Sequence, residues 1–186
     1  AGYTESGKKV GLTSNAMRKH AGIEEPDYGI IFHELCYPNE SDVSFDWFAQ
    51  PRVEAELCFK LRKDLIGTDI SIEQVLDATE YVVPALEIVD IRQRTDGPRK
   101  IFDTVADNAS FGAYVVGDRP IRPYEVDFGL VGFIFEYNNH QKEVASGTAV
   151  LDHPANAVAW LAKRFTELGN PLKAGEMVMS GSAITI

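Results

Sequence analysis

The sequence predicts a β-rich α+β fold, and three features of the 186-residue chain support this prediction. Between residues 53 and 59, apolar side chains alternate with Glu54, Glu56 and Cys58, the period of two that is typical of a strand with one buried face. Residues 129–137 and 142–150 are two strand-like segments joined through Asn138-Asn139-His140, which predicts a β-hairpin. Clear helix signals, by contrast, occur at two places, so strands dominate the prediction.

Each of the two predicted helices has a start signal. Ser71 and Gln74 fit a capping box, which predicts a helix of about ten residues after Ser71. Pro154 suits the first position of a second helix, whose apolar residues recur at helical spacing until Gly169 provides a natural stop. Residues 114–116 read as a short strand, and residues 177–186 are strand-like up to the last position.

Composition excludes several classes of function. The 18 Lys and Arg residues against 28 Asp and Glu give a net charge of −10, which disfavours binding to nucleic acid or to an anionic membrane surface. No segment approaches the roughly 20 apolar residues of a membrane-spanning helix. Two cysteines provide no disulfide framework. We therefore expect a cytoplasmic protein.

Glu54 and Glu56 are the first candidates for chemistry. Because alternate side chains of a strand share a face, their Cα atoms should lie about 6.5–7 Å apart on one side of the sheet. The pair is compatible with a solvated strand face, which is the usual place for glutamate. It is also compatible with two carboxylates held around a cation.

Glu87 bears on that choice because it lies inside the apolar run YVVPALEIV of residues 81–89. An ionised carboxylate buried there without a partner would cost several kcal/mol. A salt bridge to Arg92 or Arg94 would satisfy it. Alternatively, Glu87 joins Glu54 and Glu56 around a divalent cation, and three carboxylates without Cys or His would select Mg²⁺ or Mn²⁺. The residues alone leave both interpretations open.

The remaining polar candidates are less specific. Lys9 reads either as solvated charge or as a cation beside a carboxylate-rich site. Asp27 and Asn108 read by default as turn residues. His33 stands in no metal-binding spacing, although it is followed by Glu34.

Taken together, these segments resemble the fumarylacetoacetase superfamily, and most closely its branch of 2-keto-4-pentenoate hydratases. The matching segments follow one another in order along nearly the whole chain: KVGLTS (9–14) with Ala16-Met17, EPDYG (25–29), PRVEAELCF (51–59), YVVPALEIVD (81–90), GPRKIFDTVADNA (97–109), RPIRP (119–123), HPANAVAWL (153–161) and GEMVMSGS (175–182).

The resemblance implies a rolled, mixed β-sheet with a few flanking helices. It also implies a divalent metal, Mg²⁺ or Mn²⁺, held by Glu54, Glu56 and Glu87. Lys9 and Asp27 match positions that handle protons or contact substrate, and Asn108 and Ser182 match positions near the substrate. We expect a single catalytic domain over residues 1–186 that is incomplete at both ends.

The activity implied by the resemblance is hydration of a 2-hydroxy-2,4-dienoate to a 4-hydroxy-2-oxo acid in the catabolism of aromatic compounds. Arg99 or Arg119 could hold a distal carboxylate of such a small 2-oxo acid. Rival interpretations are a metal-dependent decarboxylase of the same branch, an acylpyruvate hydrolase that uses a His-Glu pair, and a catalytically inactive binding domain. The predicted hairpin leaves strand edges that need covering, and members of the family associate, so we expect a homo-oligomer.

Overall fold

A computed structural model describes residues 2–14, 18–19, 22–93, 97 and 100–184. The strands are β1 Glu5–Gly11, β2 Asp27–Phe32, β3 Cys36–Pro38, β4 Pro51–Leu61, β5 Thr79–Asp90, β6 Phe111–Val116, β7 Gly132–Tyr137, β8 His140–Ser146 and β9 Met177–Met179. The α-helices with defined bounds are α1 Ile72–Ala78, α2 Ile101–Ala106 and α3 Pro154–Glu167. In the described part of the chain, no helix has both the length and the apolar character needed to span a membrane.

Seven of these strands form one curled, mixed sheet in the order β2-β1-β9-β4-β5-β6-β3. The pairs β1–β9 and β3–β6 are parallel and the others are antiparallel. The predicted rolled mixed sheet is therefore confirmed. Strands β7 and β8 pair only with each other and make a separate two-stranded sheet.

The two faces of the seven-stranded sheet differ in what covers them. One face packs Val10, Leu57 and Phe59 against α3 and forms the main apolar core. The opposite face carries a smaller apolar cluster that includes Cys58 and Tyr114. Strand alternation places Glu54 and Glu56 on the same side as Cys58, so the carboxylates lie on the face away from α3.

Local sequence signals set the helix ends. The predicted capping box is present in α1, where the Ser71 hydroxyl accepts from the Gln74 amide and the Gln74 side chain accepts from the Ser71 amide. That helix has seven residues rather than about ten, because the chain continues from Thr79 directly into β5. In α3, Pro154 is the first residue, and Gly169 follows with a φ of 74°. Helix α2 was not predicted, since six residues show too little periodicity.

The hairpin has the predicted turn, with positive φ at Asn138 and Asn139. Its strands are shorter than the apolar segments suggested, because residues 129–131 and 147–150 form turns and a short 3₁₀ helix. The predicted strand at residues 177–186 is confirmed only as Met177–Met179 within the described residues.

Candidate active site

The pairing of β4 with β5 brings three carboxylates together. Glu54 lies directly opposite Glu87 in the antiparallel register, and Glu56 lies two residues further along the same face of β4. One oxygen from each of the three carboxylates lies within 4.8 Å of the others. Glu56 and Glu87 are buried, and Glu54 is partly buried. The structure thus brings together the three residues that the sequence singled out as a set.

Burial and repulsion from Glu87 disfavour the ionised forms of Glu54 and Glu56. Burial, followed by repulsion from Glu87, raises the pKa of Glu54 to about 7. The same two causes raise the pKa of Glu56 well above its usual range. In the absence of a cation these carboxylates therefore hold protons more tightly than surface glutamates do.

Lys9 is the partner of Glu87. Its ammonium Nζ lies 2.6 Å from Glu87 Oε1 and also donates to the Ala109 carbonyl at 2.9 Å. Burial alone would lower the pKa of Lys9, but attraction to the surrounding carboxylates, led by Glu87, outweighs burial and raises the pKa. Lys9 is 3% exposed, so its reading as solvated charge near a chain end is wrong.

Asp27 begins β2 as a buried strand residue, not as the turn residue read by default. A Cβ added at Gly11, its partner in the β1–β2 register, would lie 2.3 Å from Asp27 Oδ1 and 3.7 Å from Lys9 Nζ. Burial raises the pKa of Asp27, and the charge of Lys9 and a hydrogen bond from Thr104 partly offset that rise. Asp27 and Lys9 therefore belong to one electrostatic cluster with the glutamates.

The carboxylate cluster has unused acceptor atoms. Glu56 Oε2 accepts from the Gly181 amide at 2.9 Å, but Glu56 Oε1 and Glu87 Oε2 are buried without a hydrogen-bond partner in the described part of the chain. Buried carboxylate oxygens are normally paired, since leaving one unpaired costs free energy. Two such oxygens beside Glu54 fit the oxygen-donor set that Mg²⁺ or Mn²⁺ prefers.

Asn108 is anchored to the backbone of β2. Its Oδ1 accepts from the Ile30 amide at 2.7 Å, and its Nδ2 donates to the Ile30 carbonyl at 2.8 Å. A Cβ at Gly29 would lie 2.6 Å from the Asn108 carbonyl, so the close approach requires glycine there. One lone pair and one N–H of the amide remain for another contact.

Ser182, the second residue expected near the substrate, is buried in a local turn. Its hydroxyl donates to the Ile184 carbonyl at 2.5 Å and accepts from the Ile184 amide at 3.1 Å. These bonds leave one acceptor lone pair, so a donor from a substrate could still be accepted.

The structure does not contain the salt bridge between Arg92 and Glu87 that was one interpretation of the sequence. Arg92 pairs with Asp107 at 2.9 Å and not with Glu87, so the proposed Arg92–Glu87 salt bridge is wrong. Arg94 and Arg99 lie outside the described residues, as do Ala16 and Met17 of the family resemblance. Arg119 is exposed.

His33 does not join the glutamates. It lines a cleft of about 480 Å³ together with Lys60, Tyr114 and Met177. Lys60, which lines this cleft with His33, lies four residues beyond Glu56 on β4, and four residues of a strand span about 13 Å. Glu34 is exposed and accepts from the Thr4 amide, so the His33-Glu34 pair is not part of the carboxylate cluster.

The turn at residues 108–110, whose Ala109 carbonyl accepts a hydrogen bond from Lys9, was not predicted from the sequence. Asn108, Ala109 and Ser110 all have positive φ, between 48° and 56°. Such a left-handed run costs non-glycine residues roughly 1–2 kcal/mol each. The turn aims the Ala109 carbonyl at Lys9 and the Asn108 side chain at Ile30. The segment contains no glycine, which is the residue that most often adopts positive φ, so its amino acids do not predict this turn.

Comparison with known proteins identifies relatives of this chain. The chain is 41% identical to 2-oxo-hept-4-ene-1,7-dioate hydratase of Escherichia coli, over 97% of this chain and 70% of that protein. It is 43% identical to 2-keto-4-pentenoate hydratase of Paraburkholderia xenovorans strain LB400, over 95% of this chain and 65% of that protein. The chain thus spans about two thirds of the length of these relatives. No family model matches it.

Among solved structures, the chain is similar to 4-oxalocrotonate decarboxylase from Pseudomonas putida G7 at 33% identity. The TM-score is 0.91 for the complex with magnesium and adipate, which this chain matches over 98% of its own length and 69% of the decarboxylase. The complex of the same enzyme with calcium and acetate gives 0.90. The sequence identities to the hydratases and this structural match agree with the resemblance drawn from the motifs. The chain belongs to the fumarylacetoacetase superfamily, in the hydro-lyase branch of the 2-keto-4-pentenoate and 2-oxo-hept-4-ene-1,7-dioate hydratases.

Proposed function

We propose that this protein is a divalent-metal-dependent hydratase that adds water to a 2-hydroxy-2,4-dienoate or 2-oxo-enoate, such as 2-oxo-hept-4-ene-1,7-dioate. The product is a 4-hydroxy-2-oxo acid formed in the catabolism of aromatic compounds. The observation that carries the proposal is the convergence of Glu54, Glu56 and Glu87 beside Lys9, with two buried carboxylate oxygens unpaired. Identity of about 40% to enzymes named as hydratases supports the reaction type.

We assign the metal site to Glu54, Glu56 and Glu87 and expect Mg²⁺ or Mn²⁺ there. The all-oxygen donor set favours a hard cation over zinc or copper. The solved decarboxylase is described in complex with magnesium and with calcium, which supports a divalent cation in this branch. When bound, such an ion supplies Lewis-acid polarisation and a template for the oxygens of a 2-oxo acid.

We assign proton handling to Lys9 and Asp27. The carboxylates around Lys9 keep it as an ammonium at neutral pH, which places positive charge where the dienol substrate develops enolate character. Because it is the charged proton donor beside the carboxylate cluster, it is the candidate for proton delivery to the dienol. Asp27, whose pKa is raised, is a stronger base than a surface aspartate and is the candidate for activating the attacking water.

Asn108 and Ser182 are proposed to contact the substrate with the hydrogen-bonding capacity that their internal bonds leave free. Because both side chains are anchored by backbone groups, they would present that capacity in a fixed direction. Fixed donors and acceptors require little reorganisation when the substrate binds.

The second candidate is a decarboxylase, favoured by the structural match to 4-oxalocrotonate decarboxylase. Both activities need a cation that stabilises an enolate, so the carboxylate cluster fits either one. The hydrolase alternative is less well supported, because His33 and Glu34 lie away from the cluster. An inactive binding domain is also disfavoured, since Lys9 pairs with only one of the three converging carboxylates, and the carboxylates would repel one another without a further cation.

One experiment separates the two main candidates. The purified protein is incubated with Mg²⁺ and either 2-hydroxypenta-2,4-dienoate or 4-oxalocrotonate, and the products are identified by mass. We expect the dienoate to gain the mass of one water. Loss of the mass of carbon dioxide from 4-oxalocrotonate, with no hydration of the dienoate, would instead identify a decarboxylase. A matched incubation with EDTA tests the need for metal.

We also propose that the enzyme acts in the cytoplasm, on small-molecule substrates, as a homo-oligomer. The exposed apolar side chains of the hairpin support association, and light scattering of the purified protein tests it.

A further inference from the structure

Thr13 carries a buried hydroxyl that the proposed mechanism does not use. The residue is 2% exposed, and its Oγ1 has no hydrogen-bond partner within the described ranges. Buried hydroxyls are nearly always paired, because burying one without a partner costs free energy in the ligand-free protein. The Thr13 hydroxyl is therefore a candidate for binding a group that enters the site during function.

The position of Thr13 places this hydroxyl at the edge of the active site. It follows Gly11, whose Cα adjoins the Asp27 carboxylate and the Lys9 ammonium, by two residues. It also packs on Gly181, where an added Cβ would lie 2.5 Å from Thr13 Oγ1, and the Gly181 amide donates to Glu56. Thr13 thus lies two residues along the chain from the glycine beside Asp27 and Lys9, and packs against the glycine whose amide binds Glu56.

The charges in this region indicate what the hydroxyl would bind. The substrate class in the proposed function carries a carboxylate, and an anion approaching Glu54, Glu56 and Glu87 needs hydrogen-bond donors that offset their repulsion. The Lys9 ammonium already donates to Glu87 and to the Ala109 carbonyl. A neutral hydroxyl at the edge of this cluster adds a donor without changing the charge of the site.

We propose that the Thr13 hydroxyl is a substrate-binding group that donates a hydrogen bond to the carboxylate of the bound 2-oxo acid. The inference rests on the proposed function and adds a contact to it. Because hydrogen bonds to charged groups are stronger than those between neutral groups, loss of this bond should weaken binding measurably.

The test uses Thr13→Val, which keeps the shape of the side chain and removes the hydroxyl, and Thr13→Ser, which keeps the hydroxyl. Ser180→Ala is the matched control. Ser180 also has a buried, unpaired hydroxyl, but it follows Met179 and so faces the α3 side of the sheet by strand alternation. The probe is pyruvate, a 2-oxo acid without a double bond to hydrate, titrated calorimetrically in the presence of Mg²⁺.

We expect Thr13→Val to weaken pyruvate binding by roughly 10- to 100-fold, the loss of one hydrogen bond to a charged group. Thr13→Ser and Ser180→Ala should bind close to wild type, and Mg²⁺ affinity should be unchanged in all three. A second measurement is independent of both ligands. In metal-free buffer, Thr13→Val should melt no lower than wild type, because it removes an unpaired buried hydroxyl.

Two results would overturn the inference. One is unchanged pyruvate affinity in Thr13→Val, and the other is a clear drop in its metal-free melting temperature, which would show that the hydroxyl has a structural partner. Failure of the proposed function looks different: wild-type protein would bind pyruvate with the expected dependence on Thr13 but would not hydrate the dienoate. Absence of pyruvate binding in the wild type would overturn the inference about Thr13, while hydration of the dienoate would still decide the proposed function.

Discussion

At the scale of single residues, the buried Lys9–Glu87 ion pair determines how substitutions in the site affect the stability of the protein. Each partner offsets the cost of burying the other, and removing one partner from such a pair typically costs about 3–5 kcal/mol. Glu56 has no cation at hydrogen-bond distance in the described residues, so its charge is a net burden in the metal-free protein. In the metal-free protein, Glu87 therefore stabilises the fold through its pairing with Lys9, whereas the charge of Glu56 destabilises it.

We predict that Glu87→Ala and Glu56→Gln both lose Mg²⁺ affinity but shift metal-free stability in opposite directions. Glu87→Ala should lower the free energy of unfolding, because Lys9 loses its partner. Glu56→Gln should raise it, because a group whose pKa is raised by burial no longer has to ionise. Calorimetric Mg²⁺ titration and denaturant unfolding in EDTA measure the two effects. Unchanged Mg²⁺ binding in Glu87→Ala would refute the three-carboxylate site.

The pKa of Glu54, raised to about 7, predicts a dependence on pH. For an acid whose pKa is higher in the folded state, the stabilising contribution is complete below the unfolded pKa, near 4.5, and is lost as the pH rises through about 7. In EDTA, the free energy of unfolding of wild type relative to Glu54→Gln should therefore fall as the pH is raised from about 5 to about 8. Mg²⁺ affinity should change in the other direction and rise over the same range, because the ion competes with the proton. A stability difference that does not vary with pH would contradict this assignment.

Lys9 and Asp27 are predicted to act in turnover and not in metal binding. Lys9→Met and Asp27→Asn should each slow turnover by roughly 10²–10⁴-fold, the range for losing a positioned acid or base. The double variant should be little slower than the poorer single variant if the two residues act as one unit. Steady-state kinetics and Mg²⁺ titration test this together. If Lys9→Met raises KM and leaves kcat unchanged, Lys9 is a binding contact instead.

At the scale of elements, the end of the β1–β2 pairing requires glycine at position 11. Gly11 and Asp27 face each other in register, and the Asp27 carboxylate occupies the space that a Cβ at position 11 would need. The strand pairing therefore positions the proposed base only while residue 11 is glycine.

We predict that Gly11→Ala reduces turnover by at least about tenfold, because misplacing a catalytic group by about 1 Å is costly. Gly132→Ala in β7 is the matched control, since nothing lies within 4 Å of a Cβ added there. Mg²⁺ affinity should persist in both variants. Turnover in Gly11→Ala equal to that of the control would show that Asp27 has room to move without loss.

Local elements were largely predictable from the sequence, and long-range pairing was not. The alternation along β4, the capping box of α1 and the Asn138-Asn139 turn depend on neighbouring residues, and the structure has all three. The choice of Lys9 as the partner of Glu87 depends on residues 78 positions apart, and the sequence offered the nearer Arg92 and Arg94 as partners without deciding between a salt bridge and a metal. The family resemblance identified the glutamates as a set, but the orientations of Asn108 and Ser182 depend on backbone turns that carry no residue signal.

At the scale of the whole molecule, the β7–β8 hairpin exposes several large apolar side chains that a partner chain could cover. It forms its own two-stranded sheet, and such a sheet is marginally stable without packing. Its cross-strand pair Ile134 and Val144 is 67% and 60% exposed, and Leu130 at its base is 76% exposed. Exposed apolar groups of this kind mark protein–protein contacts.

We predict that the protein is at least a dimer in solution and that the hairpin contributes to the contact. Light scattering at micromolar concentration should give a mass above that of one chain for wild type. Ile134→Lys should shift the mass toward the monomer, because it places a charge in the contact, while Leu168→Lys at the end of α3 should not. A monomeric wild type would refute the prediction.

The position of β9 has a consequence for the order in which the site is completed during synthesis. This three-residue strand lies between β1 and β4, so within the hydrogen-bonded sheet the strand bearing Lys9 is connected to the strands bearing the glutamates through residues 177–179. A nascent chain that has emerged as far as α3 holds the carboxylates of β4 and β5 but lacks the strand that connects them to β1. Formation of the Lys9–Glu87 pair should therefore be a late event, and ribosome-bound intermediates should hold the glutamates without their internal cation.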